Sequence, residues 1–189
     1  EVTLGSRTYG CPAPLPDPDL VEKAAKILGE SQQPMIFVGG GAYEACQEIK
    51  TLAETLQAPV ISYQNGRGIL DERHYLAHTN TAGAILWKNC DAAISIGCRM
   101  QAERMSRGMD DALKIIHVDI DPTEINRIMK PDVGLVSDAA FTTRKIIDAL
   151  NKYNLKRTSR EEEMLNLKAQ AEKLMEEKAG PQMAWLRAI

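Results

Sequence analysis

The chain has 189 residues, of which 44% are hydrophobic and 26% are charged, and its formal net charge is −3. This length allows one domain with a sizeable core, and the composition is that of an ordinary globular protein. The mildly acidic balance, the scattered basic residues and the lack of an apolar run of roughly 18 residues argue against both nucleic acid and membrane as partners.

Apolar segments and helical patterns alternate along the chain. Residues 1–17 are rich in proline and are predicted to form an extended connector, because proline fixes φ and denies a helix. The segments predicted to be strands are, in order, PMIFVG, APVIS, YLAHT, DAAISIG, LKIIHVDID and DVGLVSD. The helical segments run from Asp17 or Asp19 to about Glu30, over 43–57, from Thr79 or Thr81 to Asn89, over PTEINRIM and over AAFTTRKIIDAL.

These strands show no polar alternation and are separated by helices of about 10 to 15 residues, which predicts βαβ units and a parallel sheet covered on both faces. Right-handed crossovers then give an α/β domain with a doubly wound, Rossmann-like sheet of about six strands. We assign this domain to residues 18–151. Ligands of such sheets lie at the carboxyl ends of the strands, near the point where the strand order reverses.

The segment 152–189 departs from the strand–helix alternation. Residues 158–179 are predicted to form an amphipathic helix in which the apolar stripe consists of Met164, Leu167, Ala171, Leu174 and Met175. Gly180 and Pro181 then act as a stop signal. The helix either packs on its own domain, tethers a following domain or binds a partner, and the first two interpretations are favoured.

The four cysteines are Cys11, Cys46, Cys90 and Cys98, and none of them forms a CxxC pair. This spacing, with only three histidines in the chain, predicts no zinc or other metal site. Cys46 and Cys90 are expected to be buried small hydrophobic residues. Such cysteine usage fits a reducing, cytoplasmic setting.

Several predicted strand ends carry distinctive loops that should open on one edge of the sheet. Gly39, Gly40 and Gly41 follow the first strand and would let backbone N–H groups approach a phosphate. A dinucleotide fingerprint GxGxxG is incomplete, however, because Glu44 occupies its last required place, and no acid follows the second strand. A nicotinamide-dependent dehydrogenase is therefore disfavoured, and the glycines serve either a tight turn or a nucleotide.

Charged residues follow two later strands of the predicted sheet. Arg99 could pair with a phosphate in a bidentate fashion, or with Glu103 or Asp119 on the surface. Asp119 and Asp121 lie on one side of a strand end, where they would suit ribose hydroxyls or an adenine amine. Asp121 could instead cap the helix that is predicted to begin at Pro122.

The sequence predicts no catalytic residues. His74, His78 and His117 are isolated from one another, and each is interpreted as structural or solvated. The chain has no GxSxG, no P-loop and no HExxH motif. Nothing in the pattern places a base beside a nucleophile.

The order of these motifs resembles the central domain of thiamine diphosphate-dependent enzymes, and most closely that of acetolactate synthase-like members. The resemblance covers about residues 15–150 and rests on the segments KAAKILGESQQPMIFVGGGA, LAETLQAPVISYQNGRGILDERHYLAHT, CDAAISIGCRM, KIIHVDIDPTEINR and VGLVSDAAFTTRKIIDAL. It implies a DHS-like NAD/FAD-binding fold. It also implies a parent enzyme with three domains, in which residues 1–17 connect to a preceding domain and residues 152–189 lead to a diphosphate-binding domain.

The resemblance further implies a parent that decarboxylates or ligates 2-oxo acids with thiamine diphosphate and Mg²⁺, as a homodimer or homotetramer. The family's activating glutamate belongs to the first domain, and its GDG…NN motif to the third. This sequence contains neither GDG nor NN, and both of its ends look cut. We therefore expect an excised domain, inactive alone, whose partners are the other domains of the same polypeptide.

In family members that bind FAD or ADP, the central domain holds the nucleotide. The resemblance places Gly39, Gly40 and Gly41 against the ligand and matches Arg99 to the arginine of a GxRxDDR-like segment. It matches two pairs of residues to adenosine contacts, namely Asp119 with Ile120 and Asp138 with Ala139. The sequence departs from the family pattern at Tyr75, at Gln101-Ala102 and at Ser137, so at best weak FAD or ADP affinity is expected.

Two alternatives to this interpretation remain. The chain could be a stand-alone nucleotide-binding module, like the FAD domain of electron-transfer flavoprotein or a sirtuin-like NAD domain. It could also be a purely structural or interaction domain.

Overall fold

The computed structural model describes residues 13–108, 112–153 and 155–180. The strands within these ranges are β1 (Pro34–Val38), β2 (Val60–Ser62), β3 (Ala77–His78), β4 (Ala92–Ile96), β5 (Lys114–Asp119) and β6 (Val133–Val136). The α-helices are α1 (Pro18–Glu30), α2 (Cys46–Leu56), α3 (Asn80–Leu86), α4 (Ala139–Leu150) and α5 (Glu161–Ala179). None of these helices combines the length and the apolar character needed to cross a membrane.

The six strands form one parallel sheet in the order β3-β2-β1-β4-β5-β6. The chain winds outward in one direction from β1 to β3 and then returns to pair β4 with the other side of β1. The order therefore reverses between β1 and β4, which confirms the predicted doubly wound α/β fold. Every residue of β1 and of β4 is buried, which explains why their sequences lack polar alternation.

Alternate side chains of β1 enter two separate apolar clusters. Ile36 and Val38 belong to the larger cluster, which α1, α2 and α4 cover. Met35 and Phe37 face the smaller one, where the Phe37 ring meets Trp87 edge-on at a centroid distance of 5.7 Å. This is the period-two geometry of a strand that is covered on both faces.

Aspartates cap two of the helices, and one of them, Asp17, is a predicted cap. The Asp17 carboxylate accepts the Asp19 N–H at 2.9 Å, and Pro18 occupies the first position of α1. The Asp138 carboxylate accepts the Phe141 N–H at 2.8 Å at the start of α4. Both contacts satisfy a backbone donor that would otherwise have no partner in the first helical turn.

The prediction of a helix after Pro122 is wrong. The segment 122–129 consists of turns followed by a bend, and Asn126 adopts a φ of +68°, which interrupts any regular helix. Asp121 nevertheless accepts hydrogen bonds from the Thr123 N–H and hydroxyl group at 2.8 and 2.7 Å. The aspartate therefore caps a turn and not a helix.

The prediction of a buried Cys46 is also wrong. Residues Gly40–Ala45 form a 3₁₀ turn, and Cys46 begins α2 with an exposed side chain. Cys90 is half-buried and Cys98 is buried; burial raises the pKa of their thiols to about 12 and about 11. Cys11 lies outside the described residues.

Helix α5 packs on the same domain as the sheet. Met164, Leu167 and Ala171 from the predicted apolar stripe are buried in the larger cluster. Further along the stripe, Leu174 is half-buried and Met175 is exposed. The first half of the helix therefore anchors it, and α5 approaches α3 beside the carboxyl end of β3.

Candidate functional site

The carboxyl edge of the sheet gathers the predicted glycine loop and the predicted charged loops. Gly39–Gly41 follow β1, Arg99 follows β4, Asp119 and Ile120 end β5, and Asp138 with Ala139 follows β6. Because all six strands are parallel, these residues open on the same edge of the sheet.

The glycines bring the β1 and β4 loops into direct backbone contact. A Cβ on Gly39 would lie 2.6 Å from the Gly97 carbonyl oxygen, and one on Gly41 would lie 2.8 Å from the Gly97 Cα. The Gly41 N–H donates to the Gly97 carbonyl at 3.2 Å, and the Ala42 N–H donates to the Gly39 carbonyl at 3.1 Å. These glycines therefore serve a close loop-to-loop contact, and two backbone donors of the turn already have partners.

Arg99 pairs with Glu124, and not with Glu103 or Asp119 as the sequence suggested. Its Nε and Nη2 donate to the two carboxylate oxygens of Glu124 at 2.5 and 2.7 Å. Glu124 also accepts from Arg127 Nη1 at 2.5 Å, and the two arginines, chiefly Arg99, lower the pKa of this carboxyl group. Both guanidinium groups remain about half exposed, so Arg99 and Arg127 present positive charge to solvent. Two N–H donors of Arg99 are already bound to Glu124.

Asp119 and Ile120 present a carboxylate beside an exposed apolar side chain. One Asp119 oxygen accepts the Asp121 N–H at 3.0 Å, and the other lies 3.8 Å from His117 Nε2. The Ile120 side chain is 57% exposed. Because a carboxylate can accept from hydroxyl or amino groups and an apolar side chain can cover a planar base, the pair suits an adenosine.

A cavity of about 730 Å³ opens beside the ends of β2 and β3, between α3 and α5. Ser62, Tyr63 and Gln64 line it from β2, and His78, Thr79 and Asn80 from β3 and the start of α3. This volume is within the range of small-molecule and cofactor sites. The lining does not include the glycine loop, Arg99 or Asp119. The carboxyl edge of the sheet therefore has two parts, namely the predicted nucleotide loops and this cavity.

His78 is the most unusual side chain of this cavity. It is only 6% exposed, and neither of its ring nitrogens has a hydrogen-bond partner among the described residues. Burial, with the nearby Lys168 ammonium, lowers the pKa of His78 to about 4. The imidazole is therefore neutral at pH 7, and its one donor and one acceptor are buried without a partner among the described residues.

A buried charge network fixes one side of the cavity. Glu103 is fully buried in a π-helical turn, Glu103–Arg107, where it accepts from Arg107 Nη1 at 2.5 Å and from the Tyr63 hydroxyl group. Arg107 also donates to the Asn80 side-chain oxygen at 2.6 Å. Tyr63 and Asn80 line the cavity, so the network sets the positions of two wall residues.

The sequence pattern marks neither Glu103 as a buried residue nor His78 as a site residue. His78 is the last residue but one of the predicted strand YLAHT, and this position near the carboxyl end of a strand was the signal available for it. The partners of Glu103 and Glu124 could not be found in this way, because Tyr63 and Arg99 lie 40 and 25 residues away along the chain.

Comparison with known proteins identifies the family. Residues 21–150 match the model of the thiamine pyrophosphate enzyme central domain. The chain is 36% identical over 147 residues to a probable acetolactate synthase large subunit of Methanocaldococcus jannaschii, across 72% of this chain and 25% of that protein. It is 32% identical over 143 residues to the acetolactate synthase large subunit of Cyanidium caldarium, across 70% of this chain and 24% of the relative.

A solved structure described as a thiamin diphosphate-dependent enzyme from Mycobacterium smegmatis superposes with a TM-score of 0.60 at 17% identity. The superposition covers 71% of this chain and 28% of that one, and it supports the fold alone. The chain spans about a quarter of the length of the relatives that it matches. By its sequence match and its sheet, this chain belongs to the thiamine pyrophosphate enzyme central-domain family, with acetolactate synthase large subunits among its relatives.

Proposed function

We propose that this chain is the central domain of a thiamine diphosphate-dependent enzyme that decarboxylates or ligates 2-oxo acids. Its own role is to position the other domains of the same polypeptide and to hold a low-affinity FAD or ADP site. The homology to acetolactate synthase large subunits supports the parent activity. A homodimeric or homotetrameric parent in a reducing cytoplasm is part of this proposal. The family match favours a central domain of a larger enzyme over a stand-alone nucleotide-binding module.

The observation that carries the nucleotide site is His78, a residue lining the cavity of about 730 Å³ whose buried, neutral imidazole has no hydrogen-bond partner among the described residues. Burying such a group without partners costs free energy, so its position favours a ligand with polar edges. Asp119 and exposed Ile120 suit the adenosine. The adjacent cavity suits the remaining part of FAD, whereas ADP would need only the first part of the site.

Two features favour low affinity. The Gly41 and Ala42 N–H groups already donate to carbonyl groups, so fewer backbone donors of the turn remain for a phosphate. Arg99 is held by both Glu124 oxygens and would have to leave or share that pair. Loss of the Arg99–Glu124 ion pair would reduce the net binding free energy of the nucleotide. We therefore expect a dissociation constant of about 0.1 mM or higher.

Calorimetric titration with FAD and with ADP tests the site. We expect weak, saturable binding by the wild type and a loss of several-fold in affinity for Arg99→Ala, because one positive charge leaves the edge. Arg73→Ala is the matched control, since its guanidinium is 90% exposed in a loop before β3. Tight FAD binding would contradict the low affinity, and absent binding would leave the domain with a purely structural role.

We expect the chain alone to show no turnover of pyruvate with thiamine diphosphate and Mg²⁺. The sequence has neither GDG nor NN, and no cluster of three or more His, Cys, Asp or Glu side chains within the described ranges is arranged to hold a metal ion. The residues present thus do not fit thiamine diphosphate with its cation. Pyruvate consumption and carbon dioxide release are the measurements, and turnover by the purified chain would overturn this part.

A further inference from the structure

Helix α5 both packs on the sheet domain and lines the cavity. It lies beyond residue 150, where the family match ends, yet it supplies one wall of the cavity. The α5 residues that line the cavity are Lys168, Ala171, Glu172 and Met175. Every other lining residue belongs to segment 62–82, so the cavity is shared between the sheet domain and this helix.

Two polar contacts hold α5 next to the strand that carries His78. Lys168 Nζ donates to the carbonyl oxygens of Glu72 and His74 at 2.8 and 2.7 Å. Arg160, which precedes the helix, donates its backbone N–H to Gln57 Oε1 at 3.1 Å and its Nη1 to the Gln57 carbonyl oxygen at 3.5 Å. Docking of α5 therefore fixes the turn that leads into β3.

The apolar anchoring of α5 is short and ends before the cavity does. Met164, Leu167 and Ala171 are buried, whereas Met175, which lines the cavity, is 39% exposed. A helix that is held along one half opens at a lower free energy than the core of its domain. A molecule in the cavity would cover Met175 and would add apolar contacts to the C-terminal half of α5.

We infer that occupancy of the cavity and docking of α5 are coupled, so that a bound ligand holds α5 on the domain and a docked α5 raises the affinity for the ligand. The inference rests on the proposed nucleotide site. A ligand that touches both walls binds the docked state more tightly than the undocked state. By linkage, each event then favours the other to the same extent.

Amide hydrogen exchange of residues 161–179, measured with and without FAD, tests one direction of the coupling. With FAD above its dissociation constant, we expect the exchange of these amides to slow about five-fold. Exchange in β1 and β4 serves as the internal reference, because these buried strands should open only with the whole domain. FAD binding without slower α5 exchange would overturn the coupling and leave the nucleotide site standing.

The reverse direction uses a matched pair of substitutions on α5. Met164→Ala removes a fully buried anchor, whereas Leu165→Ala changes its neighbour, which is 48% exposed; neither residue lines the cavity. We expect Met164→Ala to speed α5 exchange and to weaken FAD binding about five-fold, and Leu165→Ala to do neither. Arg160→Ala gives a milder second test, because it removes the side-chain contact of Arg160 with Gln57 and leaves the apolar core intact.

Three outcomes separate the two proposals. Faster α5 exchange in Met164→Ala with unchanged FAD affinity would overturn the coupling alone. Weaker FAD binding in both Met164→Ala and Arg160→Ala, with Leu165→Ala unchanged, would support it. An absence of FAD binding to the wild type would remove both the proposed site and the coupling.

Discussion

Replacing Gly97 by alanine is expected to lower the free energy of unfolding by about 3 to 5 kcal/mol. Gly97 has a φ of +57°, and its added Cβ would lie 2.5 Å from the backbone C and Cα of Gly41. Backbone atoms cannot move away as a flexible side chain can. The β1 and β4 loops would therefore have to separate, and the site at their junction would separate with them.

Substitutions at two other glycines separate the conformational cost of Gly97→Ala from its steric cost. Gly68 has a φ of +86° with no atom within 4 Å of its added Cβ, so Gly68→Ala measures the conformational cost alone, about 1 kcal/mol. Gly39 has a φ of −132°, which any residue adopts, but its added Cβ would lie 2.6 Å from the Gly97 carbonyl oxygen. Gly39→Ala thus measures the steric cost.

Denaturant unfolding of the three variants is the measurement. We expect Gly97→Ala to be the least stable, since it combines both costs, and Gly39→Ala to follow it. If Gly97→Ala were no less stable than Gly68→Ala, the close contact between the β1 and β4 loops would be refuted.

Removing the Glu103 carboxylate is expected to cost about 3 to 5 kcal/mol, because it leaves a buried partner charge without compensation. Arg107 is only 12% exposed, and its guanidinium lies 2.5 Å from a Glu103 oxygen. The Tyr63 hydroxyl group would also lose its acceptor. Glu103→Ala should therefore loosen the π-helical turn and release Tyr63 and Asn80 from their positions on the cavity wall.

A double-mutant cycle separates the pair from its two members. Glu103→Ala with Arg107→Ala should be less destabilising than the sum of the single variants, because the double variant leaves no buried unpaired charge. Glu30→Ala is the control, since the ion pair of Glu30 with Lys26 is exposed on α1 and should contribute at most about 0.5 kcal/mol. Additive single effects would show that Glu103 and Arg107 do not act as a pair.

The six strands and most of the helices could be predicted from the sequence, because the signals that define them are local. Apolar runs without alternation predicted a sheet that is covered on both faces, and the aspartates at 17 and 138 sit next to the helices that they cap. The prediction of a helix after Pro122 was wrong, although Asp121 and Pro122 are typical of a helix start. The left-handed conformation of Asn126 ends the regular pattern there, and nothing in the spacing of the apolar residues signals it.

The strand pattern by itself also predicted that the glycine loop, Arg99 and Asp119 share one edge, since parallel strands place their carboxyl ends together, and the family resemblance added Ile120, Asp138 and Ala139. Only the tertiary structure decided what these residues do there. It gave Arg99 a partner 25 residues away and set Gly39 and Gly41 against Gly97. It also left the His78 nitrogens without a hydrogen-bond partner among the described residues, in a cavity that a helix starting at residue 161 helps to line. Contacts between residues that are distant along the chain depend on how loops and helices pack, and no local pattern of residue types encodes that packing.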